Sequence, residues 1–203
     1  MSTVLVRRIR FLVAATITYN VLEAVVAVSS GVVAGSTALV GFGLDSVIEV
    51  SSAAAVAWQF SGPSPETRER RALRAIAWSF FALAAYVAVA SAHALLAGPA
   101  ASPSPVGIAL AAVSLVVMPV LSFAQRRAGQ ALGSVTAVAD SRQTLLCTAL
   151  SGVLLAGLAV NALFGWSWAD PVAGLVVAGA ALREGRNAWK GDACCDRCGP
   201  VEA

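Results

Sequence analysis

The chain has 203 residues, of which 58% are hydrophobic and only 12% charged, with a formal net charge of +3. Soluble domains carry about a quarter charged residues, so this balance excludes an ordinary globular protein. The small positive excess does not point to nucleic acid, because its placement along the chain is explained by a lipid bilayer.

Six apolar stretches follow one another at about 8–30, 37–60, 73–97, 105–124, 134–163 and 169–188. Each is long enough to cross a ~30 Å hydrocarbon core at about 1.5 Å per residue. Backbone groups in lipid must be paired within their own segment, so helices are expected, and the ten-residue alternation of a membrane β-barrel is absent. The first stretch opens like a signal peptide, with Arg7, Arg8 and Arg10 ahead of an apolar run. It is too long for one and carries Tyr19, Asn20 and Glu23 in its middle, so it reads as a retained helix. The second holds Asp45 and Glu49. Ser61 to Arg74 reads as a loop rich in Pro, Ser and charge. The third stretch ends near His93, a lone histidine best read as structural. The fifth carries Asp140, Gln143 and Cys147. The sixth opens on Asp170-Pro171, the pattern of an N-cap followed by proline at the first helical position.

The connections fall into two kinds. Arg68, Arg70, Arg71 and Arg74 follow the second stretch, and Arg126 and Arg127 follow the fourth. Arg183, Arg186, Lys190 and Arg197 close the chain. The connections Gly31 to Ser36, Gly98 to Pro105 and Phe164 to Trp168 contain no Lys or Arg. The positive-inside rule then puts both ends in the cytoplasm, which requires an even number of helices, and Trp166 and Trp168 read as an interfacial anchor on the far side. The predicted fold is all-α: a polytopic membrane protein, a six-transmembrane-helix bundle with N-in/C-in topology, in a plasma or inner membrane. Residues 1–190 form the transmembrane domain and 191–203 a short cytoplasmic, cysteine-containing tail.

Ionisable groups at the centre of a membrane helix cost about 2.5–3.5 kcal/mol each by the lower scales, and they usually mark an ion or proton path. Glu23, Asp45, Glu49 and Asp140 all lie well inside their stretches. Asp45 and Glu49 are four residues apart, so their carboxylates share one face of the second helix. Unpaired they would repel, and a divalent cation removes the repulsion by binding oxygens of both. The plainer alternative is a protonated, hydrogen-bonded pair. Asp140, Gln143 and Cys147 lie at i, i+3 and i+7, one stripe of the fifth helix, where they could ligate or simply pack and hydrogen-bond. Asn20 and Glu23 share a face of the first helix as supporting partners or an access path. Arg142 is expected to snorkel or pair with an acid. Glu184, between Arg183 and Arg186, reads as an interfacial pair. In the tail, Cys194, Cys195 and Cys198 fall one ligand short of a closed zinc site, which Asp192 or a second subunit could complete.

Several of these residues carry a family resemblance. Gly35-Ser36-Thr37-Ala38-Leu39 through Asp45-Ser46 and Glu49 resembles the second helix of the cation diffusion facilitators, the zinc-type metal efflux carriers. Ala139-Asp140-Ser141, Asn161-Ala162-Leu163, Trp168-Ala169-Asp170-Pro171-Val172-Ala173 and Glu184-Gly185-Arg186 extend the resemblance through the fifth and sixth helices. It covers roughly 14–60 and 137–191, with the third and fourth helices adding only hydrophobicity. The resemblance implies a transport site in which two acids of the second helix meet a His-x-x-x-Asp pair of the fifth. Asp45 and Glu49 match the acids, Gln143 stands where His is common, and Cys147 stands where the second Asp is common. Gln cannot carry a proton, so that role would pass to Asp45, Glu49 or Asp140. Cys favours zinc, cadmium or similar ions over manganese or magnesium. The cytoplasmic metal-binding domain usual in the family is not expected here, so a homodimer would have to form through the helices.

The function expected from the sequence is therefore secondary transport, exporting a divalent metal, zinc first among candidates, in exchange for protons. The alternative is a membrane metal sensor or regulatory partner of another transporter. No organic cofactor is expected. An intramembrane enzyme has little support, since neither HExxH nor a Gly-x-Ser-x-Gly elbow is present.

Overall fold

The computed structural model describes residues 3–59, 65–96, 101–132 and 135–190, and among these the side chains at 3–10, 13, 52, 53, 55–59, 65–72, 128, 129, 131, 132, 135–143 and 146 are outside the description. Every element is a helix: α1 (Thr3–Ala34), α2 (Thr37–Gln59), α3 (Pro65–Leu96), α4 (Pro105–Leu132), α5 (Val135–Phe164) and α6 (Ala169–Lys190).

Two glycines make the sharpest turns possible. Gly35 and Gly165 both have φ of +66°, a left-handed conformation that costs glycine nothing. At the first, the Ser36 amide donates to the Gly31 carbonyl at 2.9 Å, closing α1 so that α2 starts at once. At the second, the Gly165 amide donates to the Asn161 carbonyl at 3.0 Å.

Two expected boundaries move. The stretch 61–74, expected as a loop, is helical from Pro65 onward. Proline is pre-set for a first helical position, and Glu66 and Glu69 suit the positive helix start, so α3 can extend beyond its apolar part. Likewise α4 runs on to Leu132 rather than stopping near 124, because Gln125, Arg126 and Arg127 are good helix formers.

α1 packs on α2 and α4, α4 on α5, α5 on α6 and α6 on α3, while α2 touches α1, α3, α5 and α6. α2 is thus the central helix. Contacts at one end fix the helix directions. The Ser102 amide donates to the Ala34 carbonyl, Asn161 donates to the Ala101 carbonyl, and Thr37 meets both Ser91 and Asp170. The ends of α1, α3 and α5 therefore lie beside the starts of α2, α4 and α6. Arg74, Arg126, Arg127, Arg183, Arg186 and Lys190 belong to the opposite helix ends.

Among the described residues, four segments are long and apolar enough to span a membrane: Ala14–Ala34, Leu73–Leu96, Pro105–Arg127 and Cys147–Phe164. α6 falls outside this set because Asp170, Arg183, Glu184, Arg186 and Lys190 interrupt it, and part of α2 is outside the description. Burial is inverted relative to a soluble protein. Val33, Leu96, Val116, Val120 and Leu163 are exposed, while Asn20, Glu23, Asp45, Glu49, Gln125, Asn161 and Asp170 are buried. Such a surface suits lipid, not water.

Small residues let the helices approach closely, as membrane helices require in the absence of a hydrophobic drive between them. A Cβ on Gly31 would lie 2.8 Å from the Val40 amide nitrogen, and one on Gly157 would lie 2.8 Å from the Ala173 Cβ. Aromatic side chains mark both ends. Trp166 and Trp168 stack at 5.5 Å at one end, and Trp78 and Trp189 meet edge-on at 6.0 Å beside Arg74 at the other.

Candidate metal centre

α2 presents Asp45 and Glu49 on the face it turns toward α1 and α5, and α5 brings Cys147 up to them. One ligand atom from each of the three lies within 4.8 Å of the other two. All three are buried, the thiol at 1% exposure. Three groups that are anionic when ionised, packed this closely away from water, repel one another unless protons or a cation intervene. A single divalent ion could reach all three with small side-chain adjustments, since metal–oxygen and metal–sulfur bonds to zinc are about 2.0–2.3 Å.

α1 supplies a surrounding shell that the sequence placed only on a shared face. Asn20 Nδ2 donates to Glu49 Oε2 at 2.8 Å. Glu23 sits beside the cluster, with Oε2 4.0 Å from Cys147 Sγ. Ser46 donates to Glu23 Oε2 at 2.8 Å, and Ser114 of α4 donates a short hydrogen bond to Oε1. Because the Ser114 hydroxyl proton is directed at the carboxylate, the Tyr19 hydroxyl, 2.7 Å away, is the donor to Ser114. Glu23 is thereby fixed by donors from α2 and α4. Ser114 carries no signal in the sequence that would single it out, and Tyr19 stands out only as a polar residue in the first stretch, since their partners lie on other helices.

A second polar bridge lies one turn nearer the basic helix ends. Gln125 Nε2 donates to Thr16 Oγ1 at 3.1 Å, and Thr144 Oγ1 donates to Gln125 Oε1 at 3.3 Å. Thr16 and Thr144 precede Asn20 and Cys147 by about one turn on their helices, so this bridge ties α1, α4 and α5 together just beside the acidic cluster.

The other expected site residues divide cleanly. The structure brings Asp45, Glu49 and Cys147 together. Asp140 and Gln143 lie on α5, but their side chains are outside the described residues, as are Cys194, Cys195 and Cys198 of the tail. Asp170 departs from expectation. α6 already starts at Ala169, and the Asp170 carboxylate caps α2 instead of its own helix. It accepts from the Ser36 hydroxyl, from the Thr37 amide at 2.9 Å and from the Thr37 hydroxyl at 3.4 Å.

Spanning-length helices with an apolar exterior and an acidic interior define a multi-pass membrane protein. Residues 73–190, from α3 through α6, match the cation efflux transmembrane domain, and the chain belongs to the cation efflux family. Family membership makes metal cation export the activity to consider and sets catalysis aside. The match takes in α3 and α4, which the motifs did not identify, and starts after the acidic pair of α2. No curated protein matches the chain significantly.

Proposed function

We propose that the chain is a secondary carrier that exports a divalent metal ion of the zinc type from the cytoplasm in exchange for protons. One observation supports this most directly: in a chain of the cation efflux family, two carboxylates of α2, ahead of the matched domain, and a thiol within it converge to within 4.8 Å in the buried interior. Asp45 and Glu49 cancel the charge of the ion, and Cys147 supplies a soft ligand that favours zinc or cadmium over magnesium or manganese. Gln143 and Asp140, on the same helix as Cys147, are the further candidate ligands. The basic helix ends face the cytoplasm in this reading, giving N-in and C-in. A homodimer is the expected assembly, and the tail cysteines Cys194, Cys195 and Cys198 would bind metal before or after passage.

Ligands must be deprotonated to bind, so each metal ion displaces protons, and protons arriving on the far side release the ion. Metal affinity is therefore expected to fall as pH falls. The test is reconstitution of the purified chain in proteoliposomes with zinc inside or outside and a pH-sensitive dye. Zinc flux with opposite proton flux, both lost in Asp45→Asn, is the expected result. Undiminished zinc flux in Asp45→Asn removes Asp45 from the site. Zinc binding without flux in the wild-type protein would instead support a sensor.

A further inference from the structure

We infer that Asn20 of α1 is itself a metal ligand, donating its side-chain oxygen to the ion held by Asp45, Glu49 and Cys147. This rests on the reading of that cluster as the cargo site and extends it to a third helix.

Asn20 is only 3% exposed, in the middle of the bundle. Its amide orientation follows its partner: an ionised carboxylate only accepts, so with Glu49 ionised the atom 2.8 Å from its Oε2 is the nitrogen. The other end of the amide, Oδ1, is buried and has no hydrogen-bond partner among the described residues. Buried carbonyl oxygens are almost always paired, and one left unpaired demands a reason. Nearby Asp45 and Glu49 offer no proton when ionised, so they cannot satisfy another acceptor. A cation satisfies all of these acceptors together.

Distance allows it. The two heteroatoms of an amide are about 2.3 Å apart by standard bond lengths. Added to the 2.8 Å hydrogen bond, this puts Oδ1 within about 5 Å of Glu49 Oε2. Turning the amide about its Cβ–Cγ bond moves Oδ1 by about 1 Å, so a shared ion also requires the Glu49 carboxylate to turn toward it. The charge also fits. Two carboxylates already neutralise a divalent ion, and a thiolate exceeds it, so a further ligand in low dielectric is best neutral. An amide oxygen completes the shell without adding charge. Because α1 packs against both α2 and α4, such a bond would also connect metal occupancy to the position of the first helix.

The probe is cadmium ion on the purified full-length protein with tail residues Cys194, Cys195 and Cys198 replaced by serine, the background taken as wild type here, so that binding reports only the intramembrane cluster. The chain contains three asparagines, Asn20, Asn161 and Asn187, so labelling asparagine Cγ with carbon-13 gives three assignable resonances. Cadmium should shift one of them, the one absent from Asn20→Leu. Competition titration should show cadmium binding weakened at least tenfold in Asn20→Leu. Asn20→Asp keeps an oxygen but loses the N–H to Glu49, so it should bind within a few-fold of wild type or tighter. If Asn20→Asp loses as much affinity as Asn20→Leu, the residue merely orients Glu49 and the inference is overturned. It is equally overturned if cadmium binds and no asparagine Cγ moves. Should Asn20→Leu not fold, the labelled wild-type spectrum and Asn20→Asp still decide. Wild-type protein that binds no cadmium, or Asp45→Asn that binds it undiminished, defeats the underlying site instead.

Discussion

Two regions of this molecule bury carboxylates, and they treat them in opposite ways. At the end of the bundle where α2 and α6 begin, Asp170 is surrounded by donors: the Ser36 and Thr37 hydroxyls and the Thr37 amide. Its charge is satisfied by protein, and it works as an inter-helix cap. In the middle of the bundle Asp45 and Glu49 face one another and a thiol, crowded to within 4.8 Å. Burial alone thus does not mark an acid as functional. The groups around it do: Asp170 meets hydroxyl and amide donors, whereas Asp45 and Glu49, although Glu49 also accepts from Asn20, are crowded against each other and a thiol, groups that repel when ionised. Glu23 lies between these cases. It adjoins the thiol, yet Ser46 and Ser114 hold both of its oxygens.

The sharpest way to break the comparison is to neutralise each acid in turn. Asp45→Asn is expected to lower metal affinity on the order of 100-fold or more and to abolish flux while the helices remain folded, as read by calorimetric metal titration and circular dichroism. Cys147→Ser comes next. A hydroxyl in place of the thiol should reduce cadmium binding on the order of tenfold and leave manganese binding little changed, so the cadmium-to-manganese ratio is the quantity to measure. Asp170→Asn should do the reverse of Asp45→Asn. With its oxygen kept on the Thr37 amide, its NH₂ would face the Ser36 hydroxyl, which can no longer donate there, costing about 1–3 kcal/mol of stability in a detergent unfolding assay, while metal affinity per folded molecule stays at the wild-type level. Loss of affinity there would erase the distinction between the two regions. The smallest effect belongs to Ser114→Ala, which removes one donor from Glu23. About 1 kcal/mol of stability and at most a few-fold in metal affinity are expected from the same two assays.

Much of this was legible in the residues. The six helices follow from runs of apolar residues, and their alternating direction from where Arg and Lys occur. The Asp45–Glu49 pair follows from a spacing of four, since helix geometry alone puts both on one face. Cys147 could be placed on a stripe but not on a particular neighbour. Motif reading overlooked α3 and α4, because their signal is spread over many apolar positions, although the family match includes them. The aromatic belt of Trp78 and Trp189 also escaped it, because those residues come from helices distant in sequence that meet only when the bundle closes.

Sequence by itself determined how many helices there are, how they alternate, and which faces carry the acids, because these depend on hydropathy, charge and helical period. Only the tertiary structure decided the rotation of each helix about its axis. That rotation turned Asn20 toward Glu49, set Ser114 on Glu23, and sent Asp170 to cap α2 instead of α6. A periodic pattern gives the face of a helix, but the residue it meets depends on how closely glycines such as Gly31 and Gly157 let its neighbours approach.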